Sequence, residues 1–231
     1  MPAAMQRTID HWRRVMPDHE VIEWNEKNYD IGAHPWTARM HAKGDYAFAS
    51  DHARLRILHL HGGIYLDTDM QLKKSLTPFM GSRCLWSFEF DSFLSTALIA
   101  AEPAHPLIES LMLIYDDLEH GVVNNDLVTR YFLEHFPEFK LNNTEQMVGE
   151  GIRIMPKEYF VVPSFDPAHN YAVHLANNHW KKVGRSFPLG RLVRTVVGEV
   201  WFYRLVNMRM KVGSPYLALE RRLRRERNSR S

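Results

Sequence analysis

Two aspartates one residue apart, Asp67 and Asp69, close the stretch AFASDHARLRILHLHGGIYLDTDMQL that runs from Ala47 to Leu72. Acids this close repel each other, and burying them is costly unless a cation sits between them. Carboxylate oxygens are hard ligands that suit Mg²⁺ or Mn²⁺. Two such groups where a strand ends make a site for a metal and a diphosphate. A second charged pair, Asp51 and Arg54, is spaced i,i+3 and so shares one helix face. The planar, permanently charged fork of arginine is suited to oxyanions. D-x-D alone is a weak signal that solvated turns also carry, so the flanking pattern decides its weight.

The elements that must position these groups are legible on either side. Ala49, Ala53, Leu55, Ile57, Leu58 and Leu60 supply the apolar positions of a helix. Gly62-Gly63 ends it, because glycine reaches the left-handed cap conformation without a steric penalty. Ile64-Tyr65-Leu66 then reads as a short buried strand, and its period of two points Asp67 and Asp69 to one side. Upstream, Ala3 to Val15 reads as an amphipathic helix, Glu20 to Trp24 as a strand and Trp36 to Ala42 as a short helix. Downstream, Leu85 to Phe90 and Thr96 to Ala101 read as strands, Pro106 to about His120 and Asn125 to His135 as helices. Ile152–Ile154, Phe160–Val162 and Tyr171–Leu175 are further short strands. This alternation predicts an α/β fold with a mostly parallel sheet flanked by helices. Ligands of such sheets gather at the carboxyl ends of the strands, where Asp67 and Asp69 fall. Glu89 and Asp91 follow a strand and face either the same region or a loop surface.

Composition narrows the setting. The chain has 231 residues, is 45% hydrophobic and has one cysteine, Cys84. That cysteine count excludes an intrachain disulfide and a cysteine-rich zinc site, and it fits a reducing compartment. The N-terminus has no apolar signal core, and no long uncharged apolar run occurs. A cytoplasmic protein, peripheral at the inner face of the membrane, is expected. Residues 181–231 hold 14 Lys/Arg against 3 Asp/Glu, whereas the whole chain holds 29 against 27. An acidic body, 1–180, thus carries a basic amphipathic helical tail, 181–231, whose charge suits an anionic partner, a membrane surface or nucleic acid; its amphipathic face favours the membrane, and no nucleic acid is expected. Leu189, Leu192, Val193, Val196, Val197, Val200, Trp201, Leu205 and Met208 give that tail an apolar helical face. Its last residues, ERRLRRERNSRS, read as solvated.

The run SDHARLRILHLHGGIYLDTD at 50–69 resembles the signature of glycosyltransferases with a DXD sugar-binding motif, glycosyltransferase family 32. Bacterial capsular and surface-polysaccharide transferases belong to that family, and large glucosylating toxins share its core. MPDHEVIEWNEKNYDI at 16–31, Ala104-His105-Pro106, Lys157-Glu158-Tyr159-Phe160 and YAVHLANNHW at 171–180 resemble further family segments. Members usually begin with an Ile-Pro-Lys-Ile-Ile-His-type strand, and this chain opens after it. The resemblance implies a GT-A-like fold and transfer of a sugar, with retention, from a nucleotide-diphosphate sugar such as a UDP-sugar. The acceptor would be a surface glycan or a lipid-linked one. It further implies that Asp69 binds Mn²⁺ or Mg²⁺ directly, that Asp67 contacts the ribose or the metal, and that His174 is a third ligand. Ser50, Asp51, Arg54 and Tyr65 would line the nucleotide-sugar pocket, with Trp180 near the leaving diphosphate. The chain departs from the family at Ser95, where Asn is common, and at Asn124-Asn125, where Gly-Pro is frequent. Two other readings compete. One is a haloacid-dehalogenase-like phosphohydrolase, whose D-x-D strand normally has Thr or Val where Gln71 stands. The other is a non-catalytic nucleotide or sugar binder.

Overall fold

Local chemistry sets most elements of this computed structural model, which describes residues 3–175, 195 and 198–229. Helix α1 (Ala3–Val15) buries Ile9 and Trp12. Helix α2 (Pro35–Ala42) begins with a proline preset for helical φ, and the His34 ring accepts from the Trp36 N–H. Helix α3 (Tyr46–His61) ends at Gly62, whose φ is +66°. A Cβ on Gly62 would lie 2.6 Å from Cδ of Pro103, so both conformation and space require glycine there. The chain leaves the cap directly into strand β1 (Gly63–Leu66). After a turn it forms β2 (Met70–Leu72).

The strands β3 (Cys84–Phe90), β4 (Phe93–Ala101), β5 (Gln146–Val148) and β6 (Ile152–Met155) complete a five-stranded sheet of order β1-β4-β3-β6-β5. The mostly parallel sheet expected from the sequence is not what forms. Only β3 and β6 pair in parallel, while β1/β4, β3/β4 and β5/β6 are antiparallel. Connection length is the reason. Asp91-Ser92 alone joins β3 to β4, and Gly149-Glu150-Gly151 joins β5 to β6, whereas parallel neighbours need a crossover of about a dozen residues or more.

Side chains alternate along the strands between two cores. Trp86, Phe88, Leu94, Ile99 and Ile154 face α3 and the helices α4 (Pro106–Ile114) and α5 (Asn124–His135). Leu85, Ala97, Leu98 and Met155 face α1, the short helix α6 (Lys157–Phe160) and a two-stranded sheet of β2 with β7 (Ala172–His174). Trp12 ties α1 to this small sheet by donating its indole N–H to the Met70 carbonyl at 2.9 Å.

Three local expectations change. Glu20–Trp24 is irregular, with Trp24 stacked on His61 instead of lying in a ladder. Residues 157–160 form the turn of α6 where a strand was expected to begin at Phe160. Helix α4 stops at Ile114 and tightens into a 3-10 turn over Tyr115–Asp117.

Two C-terminal helices, α7 (Glu199–Lys211) and α8 (Pro215–Asn228), pack back on the body. Leu219 joins the main core, and the Tyr216 hydroxyl donates to the Asp126 carboxylate. Arg227 donates to the Leu133 and Glu134 carbonyls, which lie in the last turn of α5 and lack helical partners. Arg224 bonds Glu220 and the Phe139 carbonyl. The arginine-rich end expected to be solvated therefore caps another helix.

Candidate functional site

The acid turn lies where the chain leaves the large sheet for the small one. The Asp67 N–H still donates to the Ala97 carbonyl at 2.8 Å, continuing the β1–β4 ladder. The chain then reverses, and the Met70 N–H donates to the Asp67 carbonyl at 2.9 Å. Asp67 and Asp69 are therefore brought together by a turn between sheets, and not by the two-residue period of one strand.

β2 pairs antiparallel with β7, placing Met70 opposite His174, and the Leu175 N–H donates to the Asp69 carbonyl at 3.1 Å. This register delivers the His174 ring to the acid turn, with Nε2 3.2 Å from Asp69 Oδ1. One ligand atom each from Asp67, Asp69 and His174 lie within 4.8 Å of one another. Bonds of about 2.1 Å to an octahedral cation place neighbouring ligands about 3–4 Å apart, so small side-chain movements suffice to close the set. Two carboxylates and an imidazole suit Mg²⁺ or Mn²⁺. Burial alone would lower the pKa of His174, but Asp69 and then Glu89 override it and raise it to about 10.

Behind the turn, α3 turns charge inward. Asp51, His52 and Arg54 are buried beside Leu55 and Leu58, while Leu60 is exposed. Arg54 organises this layer. Its guanidinium lies 2.8 Å from Asp51 Oδ1 and 3.5 Å from Asp67 Oδ1, and it donates to the Thr96 carbonyl at 2.8 Å. It also sits 4.5 Å over the Tyr65 ring. The Tyr65 hydroxyl donates to Asp67 Oδ1 at 2.6 Å. Ser50 buttresses Arg54 by accepting at its carbonyl (3.3 Å) and its hydroxyl (3.4 Å). Burial pushes the Asp51 carboxyl up to about 7, although Arg54 opposes it. Burial likewise raises the Tyr65 hydroxyl well above its ordinary value, so it stays a donor to Asp67.

Ser50, Asp51, Arg54, Tyr65 and Asp67 thus form one network, and Asp67, Asp69 and His174 form the cluster adjoining it. Trp180 lies outside the described residues. Four polar residues in or beside this layer have no site role in the sequence reading. Asn124, the first residue of α5, donates to Asp51 at 3.4 Å and accepts from the Tyr115 hydroxyl at 3.0 Å. The Thr96 hydroxyl donates to Asn125 at 2.7 Å. The signal for the two asparagines was their departure from Gly-Pro, and Tyr115 gave none.

Comparison with known proteins finds three similarities. Residues 2–86 match the family model for the glycosyltransferase sugar-binding region containing a DXD motif. An uncharacterized glycosyltransferase of Acanthamoeba polyphaga mimivirus is 33% identical over 107 residues, covering 42% of this chain and 41% of that protein. The match thus spans less than half the length of that curated relative. Among solved structures, the PaToxG glycosyltransferase is similar with a TM-score of 0.48 and 18% identity, over 59% of this chain and 64% of that one.

Proposed function

We propose that this chain is a metal-dependent retaining glycosyltransferase of the family 32 type. It takes a sugar from a nucleotide-diphosphate donor, a UDP-sugar, and delivers it to a surface glycan or a lipid-linked acceptor. The observation that carries the reading is the convergence of Asp67, Asp69 and His174 within 4.8 Å at the turn between the two sheets. When bound there, Mn²⁺ or Mg²⁺ offsets the negative charge of the departing nucleoside diphosphate as a Lewis acid. The chain's own groups do the positioning. Tyr65 and Arg54 both engage Asp67 Oδ1 and so hold that carboxylate in one orientation. Asp51 is fixed by Arg54 and Asn124, where it accepts hydrogen bonds from sugar hydroxyls. The sequence matches support the transferase class, and the resemblance in the motif supports donor and stereochemistry.

An anionic membrane surface is the proposed partner on the acceptor side. What supports it is a stripe of α7 residues at i, i+4 and i+7, Trp201, Leu205 and Met208, continued by Val212 just after the helix, all exposed and flanked by Arg204 and Arg209. Among the described residues no helix is long and apolar enough to cross a membrane.

Thermal unfolding with UDP, GDP or neither, each with Mn²⁺ or EDTA, tests the donor reading. Stabilisation that needs both UDP and Mn²⁺, followed by UDP release from a UDP-sugar, is the expected outcome. No shift with any pair, together with no turnover, would refute it.

A further inference from the structure

We infer that Glu89 is a positioning residue that locks the His174 imidazole with Nε2 aimed at the acid turn. The inference rests on the reading of Asp67, Asp69 and His174 as a cation site, and it adds a residue to which that reading assigned no role.

Glu89 lies near the end of β3, where the β3–β4 register shifts between Phe88 and Phe90. Irregularities of this kind re-aim a side chain next to a site. Phe88 belongs to the core under α3, whereas Glu89 reaches His174 of β7. There Glu89 Oε1 comes 3.6 Å from His174 Nδ1, while Nε2 of the same ring is 3.2 Å from Asp69. The imidazole is therefore bracketed by a carboxylate on each nitrogen. Both side chains are largely buried, at 14% and 16% exposed.

The polar inventory points the same way. His174 Nδ1 and Glu89 Oε2 are both buried, and neither has a formed hydrogen bond among the described residues. A carboxylate buried without a partner is costly, and His174 is the ion-pair partner the structure gives Glu89. An imidazole that offers its Nε2 lone pair to a cation must carry its proton on Nδ1, and that N–H needs an acceptor. Glu89 is that acceptor, and a ring movement of a few tenths of an ångström closes the 3.6 Å separation to hydrogen-bonding distance. The carboxylate thereby selects one tautomer and one ring orientation.

The test is Mn²⁺ titration of the full chain, followed by electron paramagnetic resonance, for wild type, Glu89→Gln, Glu89→Ala, His174→Ala and the Glu89→Ala/His174→Ala double variant. Glu89→Ala should weaken Mn²⁺ binding about 10–100-fold. Glu89→Gln should weaken it less, because the amide oxygen still accepts from Nδ1–H. The double variant should bind no more weakly than His174→Ala alone, because Glu89 acts only through the ring. With diamagnetic Mg²⁺, ¹⁵N NMR should show the His174 proton on Nδ1 in wild type and a mixed tautomer in Glu89→Ala. Melting in EDTA separates misfolding from lost positioning, and the near-isosteric Glu89→Gln variant keeps the test open where Glu89→Ala is unstable. Wild-type Mn²⁺ binding with Glu89→Ala within twofold of it would overturn this inference alone. So would a double variant weakened by the full Glu89→Ala factor beyond His174→Ala. Wild type that binds no Mn²⁺ would overturn the inference and the cation-site reading together.

Discussion

Asp51 and Asp91 are both withdrawn from solvent and each has a basic side chain within 2.8 Å, yet they titrate in opposite directions. Burial drives Asp51 up to about 7, and its partner Arg54 is shared with Asp67 and the Tyr65 ring. Burial also acts to raise Asp91, but Lys157, Asn207 and Lys211 gather around it and bring it down to about 2. The difference is one of completeness. The Asp91 cluster satisfies its own charge and serves as a latch that holds α7 and α6 to the β3–β4 turn. The Asp51 layer instead shares one guanidinium between Asp51 and Asp67 at the edge of the acid turn. An acid held by several cations of its own fits a structural role, and perturbed acids that share one cation mark a candidate binding site.

That contrast can be broken or sharpened by experiment. The largest effect should come from Arg54→Ala, which leaves Asp51 buried without its cation and should cost about 3–5 kcal/mol in urea denaturation. Adding Asp51→Asn should recover part of that loss; no recovery would mean that Arg54 acts through packing. Next, Asp69→Ala should abolish the roughly 2.7 kcal/mol stabilisation expected from UDP with Mn²⁺ at a hundred times its Kd. The unliganded protein should still fold, and unfolding of that variant would make Asp69 structural.

The latch should show itself in acid. The Asp91 pKa is about 2 in the folded chain against 3.8 as its ordinary value, so its contribution is present above pH 4 and fades as pH falls from 4 to 2. About 1–2 kcal/mol should disappear over that window, and Asp91→Asn should flatten this part of the stability profile. The smallest effect should be Lys211→Ala, below about 1 kcal/mol, because Lys211 is half exposed and its ion pair with Asp91 is screened.

Much of the site was legible because its core is local. Asp51, Arg54, Tyr65, Asp67 and Asp69 all fall within one helix–glycine–strand–turn run, so chain order alone keeps them near one another. The inward face of α3 was harder to see, since Asp51, His52 and Arg54 are residue types that helices normally present to water. The sheet's direction is not legible in strand pattern alone, because it follows from the brevity of the Asp91-Ser92 connection. The arginines of α8 read as a solvated run because no sequence pattern announces that the last carbonyls of α5 lie within their reach.

By itself, the sequence determined the elements and the chemistry they carry: the helix up to His61, the glycine cap, the strand and the two acids, because capping, side-chain period and charge are properties of neighbouring residues. Only the tertiary structure decided that the acids sit in a turn between two sheets, that His174 stands beside them, and that Glu89 closes on His174 and Asn124 on Asp51. Those juxtapositions depend on pairing between strands and helices far apart in the chain. Such pairing is selected by how whole faces bury against one another, and no local pattern encodes it.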